Sequence, residues 1–410
     1  MSKQDGSNRM VSSPDVDDAS ATILHVDLDA FFATASLIAR PDLRGLPVVI
    51  GHDSSRSVVT AATYEARRFG VHSAMPMGRA LQLCPNAVIL EPDFALYQRL
   101  SQQTMAILDD FSPSVERLGI DEAFVDVTGA RRLLGGAVAI GTRIRERVQA
   151  ETGLVASVGA SSTKFIAKLA SGRAKPDGLL VVPADDVLTF LHPQPVSALW
   201  GVGERTQEKL ERYGLRTVAD VAHTSEATLV GWFGAASGRH LHALAWARDV
   251  RAVHERPRER SMGHNHTFGH DVTDRDDLRS EILRLGTGVG RRLRAAGAVG
   301  RTVTLRVRFH DFRTITRSRT LSDPTDVTRV VVETAWQLLD ELDDPTPVRL
   351  LGVQMSQLSD PSDAGLLWDD SEDWGSAERA VDAVHDRFGQ LAVTPASMLR
   401  RERKREDTGG

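Results

Sequence analysis

Two separated groups of carboxylates could do chemistry in this sequence. Asp121 and Glu122 are adjacent inside the apolar run Leu118-Gly119-Ile120-Asp121-Glu122-Ala123-Phe124-Val125-Asp126, and Asp27 and Asp29 end the run Ile23-Leu24-His25-Val26-Asp27-Leu28-Asp29 far upstream. On a straight strand, neighbouring side chains point to opposite faces. Asp121 and Glu122 can therefore serve one site only at a turn or distortion, which Gly119 permits. Anionic groups forced together are costly without a cation, and a hard divalent metal with oxygen ligands is the simplest remedy. An Asp-Glu pair alone would equally suit a hairpin cap; the second acidic stretch favours a metal site. Asp27, at the strand's end, is its ligand candidate. Asp29 precedes a helix-prone run and reads as a helix N-cap.

Other groups could handle phosphate. Tyr64 and Arg67 are three apart at the start of a helix that closes at Gly70, so they share a face. A phenol and a forked guanidinium there can grip a phosphate chain, although an ordinary solvated helix has the same pattern. Trp200-Gly201-Val202-Gly203 sits between short helices, as in a helix-hairpin-helix. The backbone N–H groups at Gly201 and Gly203 would bind a DNA phosphate without reading sequence. Arg306 and Arg308 share one strand face of a later hairpin, as do Arg317 and Arg319, with few acidic neighbours; a basic sheet face suits a DNA backbone. His264, His266 and His270 lack the partners of a zinc site. Cys84, beside Pro85, reads as a small apolar residue.

The elements that position these groups follow from pattern. Strands are expected at 23–29, 47–51, 57–62, 118–126 and 155–161, and helices at 64–70, 94–111, 137–151 and 164–171. From residue 22 to 185 the order resembles a split β-α-β-β-α-β unit, whose first and third strands lie side by side and would bring Asp27 beside Asp121 and Glu122. A second helical region begins near Val182. Residues 251–260 read as a linker, 261–360 as an α+β domain, and 361–410 as a loop, a helix near 376–388 and a basic end. The 410 residues, 41% hydrophobic and 26% charged, suit a soluble protein of several domains. The single cysteine excludes an internal disulfide and fits a reducing, cytoplasmic compartment. The first twenty residues are polar and read as a disordered tail, not a signal peptide. No apolar run is long enough to span a bilayer. The net charge of −5 gives no global sign of nucleic-acid binding, for which local patches matter more.

Taken in order, His25-Val26-Asp27-Leu28-Asp29-Ala30-Phe31-Phe32, Tyr64-Glu65-Ala66-Arg67-Arg68-Phe69-Gly70-Val71, Ile120-Asp121-Glu122-Ala123-Phe124-Val125-Asp126, Lys164-Phe165-Ile166-Ala167-Lys168, Ala174-Lys175-Pro176 and Trp200-Gly201-Val202-Gly203 are together highly specific. The chain resembles a Y-family translesion DNA polymerase of the DinB, or DNA polymerase IV, type, from about residue 22 to 360 and more loosely to Leu399. The resemblance implies a multidomain α+β fold. A ferredoxin-like palm (21–30 and 93–182) carries inserted fingers (31–92). A helix-hairpin-helix thumb (183–250), the linker (251–260) and an α+β little finger (261–360) follow, with tails at 1–20 and 361–410. It implies that Asp27, Asp121, Glu122 and the Leu28 carbonyl hold two Mg²⁺ ions for attack of a primer 3′-hydroxyl on the α-phosphorus of a dNTP. Tyr64, Arg67 and Lys175 match triphosphate contacts. Phe31 and Phe32 match the sugar side, with Phe32 as the steric gate that rejects a ribose 2′-hydroxyl. Primer–template DNA and dNTP are the implied partners of a monomeric enzyme.

Two positions depart from the family pattern: Gly119 replaces a usual serine and Ser36 a usual glutamate. A β sliding-clamp peptide is not clearly present. Gln357-Leu358-Ser359 begins like one but continues Asp-Pro, and Leu366-Leu367-Trp368 has the apolar end but follows Ala-Gly. A catalytically silent scaffold is the alternative reading, but such a member is expected to lose the carboxylates retained here. A nucleotidyl cyclase, also built on paired carboxylates, would need neither the helix-hairpin-helix turn nor the basic hairpin.

Overall fold

The computed structural model describes residues 6–254, 259–361, 372–389 and 392–393. The chain divides into two compact units, residues 1–257 and 258–410. The first contains β1 (Ile23–Leu28), β2 (Val48–Ile50), β3 (Ala61–Ala62), β4 (Val88–Leu90), β5 (Val115–Arg117), β6 (Glu122–Asp126), β7 (Ala156–Ser161) and β8 (Leu179–Val181). Its main sheet has the order β5-β6-β1-β7-β8, with β1 antiparallel to both β6 and β7.

Alternation along these strands explains the layers. Leu24, Val26, Leu28, Ala123, Val125, Ala156, Val158 and Ala160 join one buried core with Tyr97, Leu108, Ile140 and Ile144, so the helices Phe94–Asp109 and Ala137–Thr152 cover that face. The opposite parity, including His25, Asp27, Glu122 and Ser157, faces the side of the helix Lys164–Ala174. That helix lies so close that a Cβ on Gly159 would come 2.1 Å from both Ala167 O and Ser171 N. Glycine is required there by space, since no side chain fits against two backbone atoms.

A smaller sheet, β3-β2-β4, is inserted between β1 and the helix Phe94–Asp109. The strand expected over 57–62 is reduced to Ala61–Ala62, with a single bridge from Val58 to Pro76. Beyond β8, the helices Glu204–Arg212, Val218–His223, Glu226–Phe233 and Ala235–Ala245 pack around Leu210, Val218, Leu229 and Leu244. Thr217 and Asp220 form a reciprocal capping box at the second of these helices.

Two segments expected to be unstructured are not, among their described residues. Residues 6–20 pack on the first unit: Ser12 N donates to Leu179 O at 3.0 Å, and Val181 N donates to the Ser12 hydroxyl at 2.8 Å. β8 is an edge strand with backbone groups to satisfy, and the segment supplies partners. Further along, the Asp18 carboxylate accepts from Val138 N at 2.9 Å, placing an anion at a helix N-terminus. Similarly, residues 251–254 of the expected linker are held to the first unit. Arg251 stacks 4.0 Å from the Trp200 ring centroid, and Val253 is buried with Phe124 and Ala167.

The second unit holds β9 (Ser261–Val272), β10 (Gly300–Phe309), β11 (Thr314–Thr325) and β12 (Val348–Ser356) in the order β11-β10-β12-β9. The helices Arg275–Ala295 and Thr328–Asp340 bury Ile282, Leu285, Val331 and Leu338 against Val303, Leu305, Val307 and Leu351. The last described helix, Glu372–Phe388, is tied to the first of them by buried Arg294, 2.6 Å from both Glu378 and Asp382. Leu366-Leu367-Trp368 and the basic end lie outside the described residues. No helix among the described residues is long and apolar enough to cross a membrane.

Candidate active site

The site grows from one strand pairing. Asp27 on β1 and Glu122 on β6 are Cα partners, so strand alternation places both carboxylates on the same face. Asp121 precedes β6 in the turn. Its carbonyl accepts from Leu28 N at 2.9 Å, while Leu118 N donates to Glu122 O at 3.0 Å. This turn escapes the alternation rule, and all three carboxylates line one cleft of about 710 Å³ together with Leu28. Gly119 sits under the turn: a Cβ there would lie 3.2 Å from an Asp121 carboxylate oxygen.

Lysines neutralise this negative charge. Lys175 Nζ pairs with Asp27, and Lys168 Nζ pairs with Glu122. Burial opposes the charge of Lys175, but Asp27 and Asp29 overcome it and raise its pKa. Burial would likewise raise the Glu122 carboxyl, yet the His25 hydrogen bond and Lys168 hold it down to about 2. His25 is fully buried, and that burial lowers its pKa. Among the described residues Asp121 forms no such ion pair, although the Lys175 charge pulls its pKa down. Burial, followed by the charges of Asp27 and Glu122, pushes it up to about 6.

His25, Asp27 and Glu122 each bring a ligand atom within 4.8 Å of the others; among the described residues no other such group occurs. Asp121 lines the same cleft but falls outside this trio. A crowded set of carboxylate oxygens, one raised well above its ordinary pKa by burial and then by its neighbours' charge, fits a hard divalent cation. His25 Nδ1 lies 2.7 Å from the Ser171 hydroxyl, which donates onward to Lys168 O. This leaves Nε2 toward Lys168 and Glu122, at 3.4 and 3.2 Å.

Asp29 is not a helix cap. The helix Phe31–Ile38 starts after Ala30 in a left-handed conformation and has no side-chain cap. Asp29 is instead buried. Its oxygens accept from the Ser157 hydroxyl at 3.0 Å and from Asp177 N at 2.7 Å, fixing the turn that carries Lys175. Burial raises its pKa, against the pull of Lys175.

Phe31, Phe32, Arg67 and Lys175 line the cleft. Arg67 lies 4.9 Å from the Tyr64 ring centroid and donates to Ala62 O. The Tyr64 hydroxyl turns toward Asp29 at 3.4 Å, where burial raises its pKa. The Phe32 ring stacks on buried Tyr97 with centroids 4.3 Å apart, and the Tyr97 hydroxyl lies 2.7 Å from that of Ser36. Gly201 also lines the cleft and has φ +94°, which favours glycine; Gly203 caps the helix Glu204–Arg212.

The arginine hairpin divides its basic residues between the two faces of the sheet. Arg306 and Arg308 pair with Thr316 and Thr314, whereas Arg317 and Arg319 pair with Leu305 and Val303. The two arginine pairs therefore occupy opposite faces of the sheet, and Arg319 is held by Gln337 and Glu341 on the helical side. Only Arg306 and Arg308 belong to the face turned away from the helices. His266 also faces that helical layer, 2.8 Å from Glu281.

Sequence reasoning assigned no role to His25, Lys168 or Tyr97. His25 could have been found because it shares strand parity with Asp27. Lys168 and Tyr97 carry no such local signal, since each reaches its partner through tertiary packing.

The family model described as the impB/mucB/samB family matches residues 26–172, its C-terminal domain matches 259–366, and the family's HHH motif matches 184–215. The chain is 42% identical over 393 residues to "DNA polymerase IV 2" of Mesorhizobium japonicum, covering 92% of this chain and 94% of that protein. It is 47% identical over 348 residues to "DNA polymerase IV" of Streptomyces coelicolor, covering 84% and 73%. Among solved structures, a Y-family DNA polymerase chimera, Dbh-Dpo4(243-245)-Dbh, is similar in fold. Its TM-score is 0.75 at 22% identity, covering 82% of this chain and 99% of that one.

Proposed function

The chain belongs to the impB/mucB/samB family of Y-family DNA polymerases, and from that premise we propose which of its residues perform each part of the reaction. The enzyme is a low-fidelity, DNA-directed translesion DNA polymerase of the DNA polymerase IV type. It uses a divalent metal and binds DNA and dNTP. The observation that carries the residue assignment is the convergence of Asp27, Asp121 and Glu122 with Lys175 and Arg67 on one cleft.

Asp27, Asp121, Glu122 and the Leu28 carbonyl are assigned to hold two Mg²⁺ ions. When bound, the ions supply Lewis-acid activation of the primer 3′-hydroxyl and charge neutralisation at the departing pyrophosphate. His25 and Lys168 orient Glu122. Arg67 and Lys175 grip the triphosphate, with the Tyr64 hydroxyl beside Asp29 closing that side. The Phe32 ring, backed by Tyr97, fills the space of a 2′-hydroxyl, and Phe31 packs behind it at 5.4 Å between centroids. Gly201 and Gly203 present backbone N–H groups to a DNA phosphate, and the four hairpin arginines are assigned to DNA, with Arg306 and Arg308 leading. The palm, fingers, thumb and little-finger divisions keep the boundaries read from the sequence, except that residues 6–20 and 251–254 join the first unit. Action as a monomer in the cytoplasm, and clamp binding through Leu366-Leu367-Trp368, complete the proposal. Family membership leaves the cyclase reading without support.

Extension of a primed template with each dNTP supplied singly tests this reading. The complementary nucleotide should be added in Mg²⁺ and none in a chelator. Addition that ignores the template base would overturn it.

A further inference from the structure

The segment of residues 6–12 has no part in the chemistry above, yet it reaches the turn that carries Lys175. Met10 N donates to Arg173 O at 2.8 Å, just before the turn, and Ser12 N donates to Leu179 O at 3.0 Å, just after it. The Ser12 hydroxyl accepts from Val181 N at 2.8 Å and donates to Val181 O at 3.2 Å. The Ser12 bonds satisfy the β8 edge, and the Met10 bond ties the segment to the end of the helix Lys164–Ala174. Two further contacts lie beyond that edge and on the turn itself. The Arg9 guanidinium donates to the Asp177 carbonyl. Gly6 lies against Pro176 and Tyr64, since a Cβ there would sit 3.0 Å from Pro176 Cδ and 3.9 Å from Tyr64 Cδ1. At φ +86° a side chain at Gly6 would also be strained.

The turn needs such support. Asp177 has φ +51°, which is unfavourable for a residue with a Cβ. Asp29 holds it from the buried side through Asp177 N, and Arg145 reaches the Asp177 carbonyl at 2.9 Å. Arg9 holds the same carbonyl on the segment's side. Lys175 is two residues from Asp177, so the placement of its ammonium depends on this turn.

We propose that residues 6–12 are a positioning strap that holds the Lys175–Asp177 turn in register for the triphosphate of the incoming nucleotide. The strap acts through Lys175 and does not touch the reacting atoms. The inference rests on the assignment of Lys175 to the triphosphate. A loosened strap weakens a contact made equally in the ground and transition states, so it raises KM for dNTP and leaves kcat nearly unchanged.

The test uses full-length Arg9→Ala and Arg9→Ala/Ser12→Pro, compared with wild type and Lys175→Ala, in single-nucleotide incorporation with matched dNTP. The measured quantities are KM, kcat, primer–template Kd and Tm. The double variant should raise KM for dNTP about fivefold or more, with kcat within about twofold and DNA Kd unchanged. Arg9→Ala alters only an exposed side chain, so it should raise KM about twofold at the wild-type Tm. A lower Tm with wild-type KM in both variants would show a purely structural role and overturn the strap. If Lys175→Ala raises KM and the strap variants do not, the strap alone is wrong. If Lys175→Ala also leaves KM unchanged, the triphosphate assignment fails and the strap inference falls with it.

Discussion

Asp27 and Glu122 stand directly opposite each other on the antiparallel strands β1 and β6. That register makes two like charges neighbours on one face, a destabilising arrangement unless cations compensate. Lys175 and Lys168 compensate in the structure, each bonded to one of the two acids.

Asp121 provides a pH signature in the metal-free protein. Its carboxyl is raised from an ordinary 3.8 to about 6 by burial and by Asp27 and Glu122. A group whose folded pKa is raised contributes stability that is complete below its unfolded pKa and is lost as pH rises through the folded value. Metal-free wild type should therefore lose stability between about pH 4 and pH 6, and Asp121→Asn should remove that loss. In a chelator at pH 7.5 the variant should melt roughly 2–6 °C above wild type. Adding Mg²⁺ should then stabilise wild type more than the variant. Melting curves across pH, with and without metal, check both halves.

The Phe32–Tyr97 stack makes sugar discrimination depend on a residue outside the gate. Phe32→Ala should lose about 10²-fold of the dNTP over rNTP preference. Tyr97→Leu should lose a smaller part, because the ring survives but its backing does not. Ser36→Ala frees the Tyr97 hydroxyl and should have the smallest effect. Competition between matched ribo- and deoxynucleotides at one template position ranks the three.

Gly159 tests the close approach of the Lys168-bearing helix to the sheet. Gly159→Ala places a methyl 2.1 Å from two backbone atoms of that helix. Overpacking of this kind should cost about 3 kcal/mol or more. Because Lys168 and Lys175 belong to or follow that helix, polymerase activity should fall further than the loss of folded protein explains. Denaturation measured beside specific activity of the soluble fraction separates the effects.

The opposite-face placement of the hairpin arginines predicts unequal DNA contacts. If Arg306 and Arg308 each neutralise a phosphate, each alanine variant should reduce the slope of log K against log salt by about 0.9. Arg319→Ala should change the slope less, since Gln337 and Glu341 already hold its guanidinium. Binding titrations at several salt concentrations decide this.

Much of the site is legible in the sequence, because strand parity and the split β-α-β-β-α-β order together bring Asp27 to Glu122. Parity places each pair of hairpin arginines on one strand face, but it does not relate the two pairs to each other. Which set of arginines faces the helices depends on the register across the 310–313 turn, and residue types do not reveal it. Asp29 was misread because a carboxylate ahead of a helix has the same local signature whether it caps that helix or anchors a distant turn. The polar composition of segment 6–20 suits disorder, while its order comes from backbone bonds to Leu179 and Arg173 and from the side chains of Arg9, Ser12, Asp18 and Ser20.

The most direct test of the central claim is single-turnover primer extension by wild type, Asp27→Ala, Asp121→Ala and Glu122→Ala in Mg²⁺, with primer–template affinity measured alongside. The account predicts template-directed extension by wild type, with extension lost in Asp27→Ala and Asp121→Ala and severely reduced in Glu122→Ala, while all four proteins bind DNA alike. Extension by Asp121→Ala at the wild-type rate would contradict it.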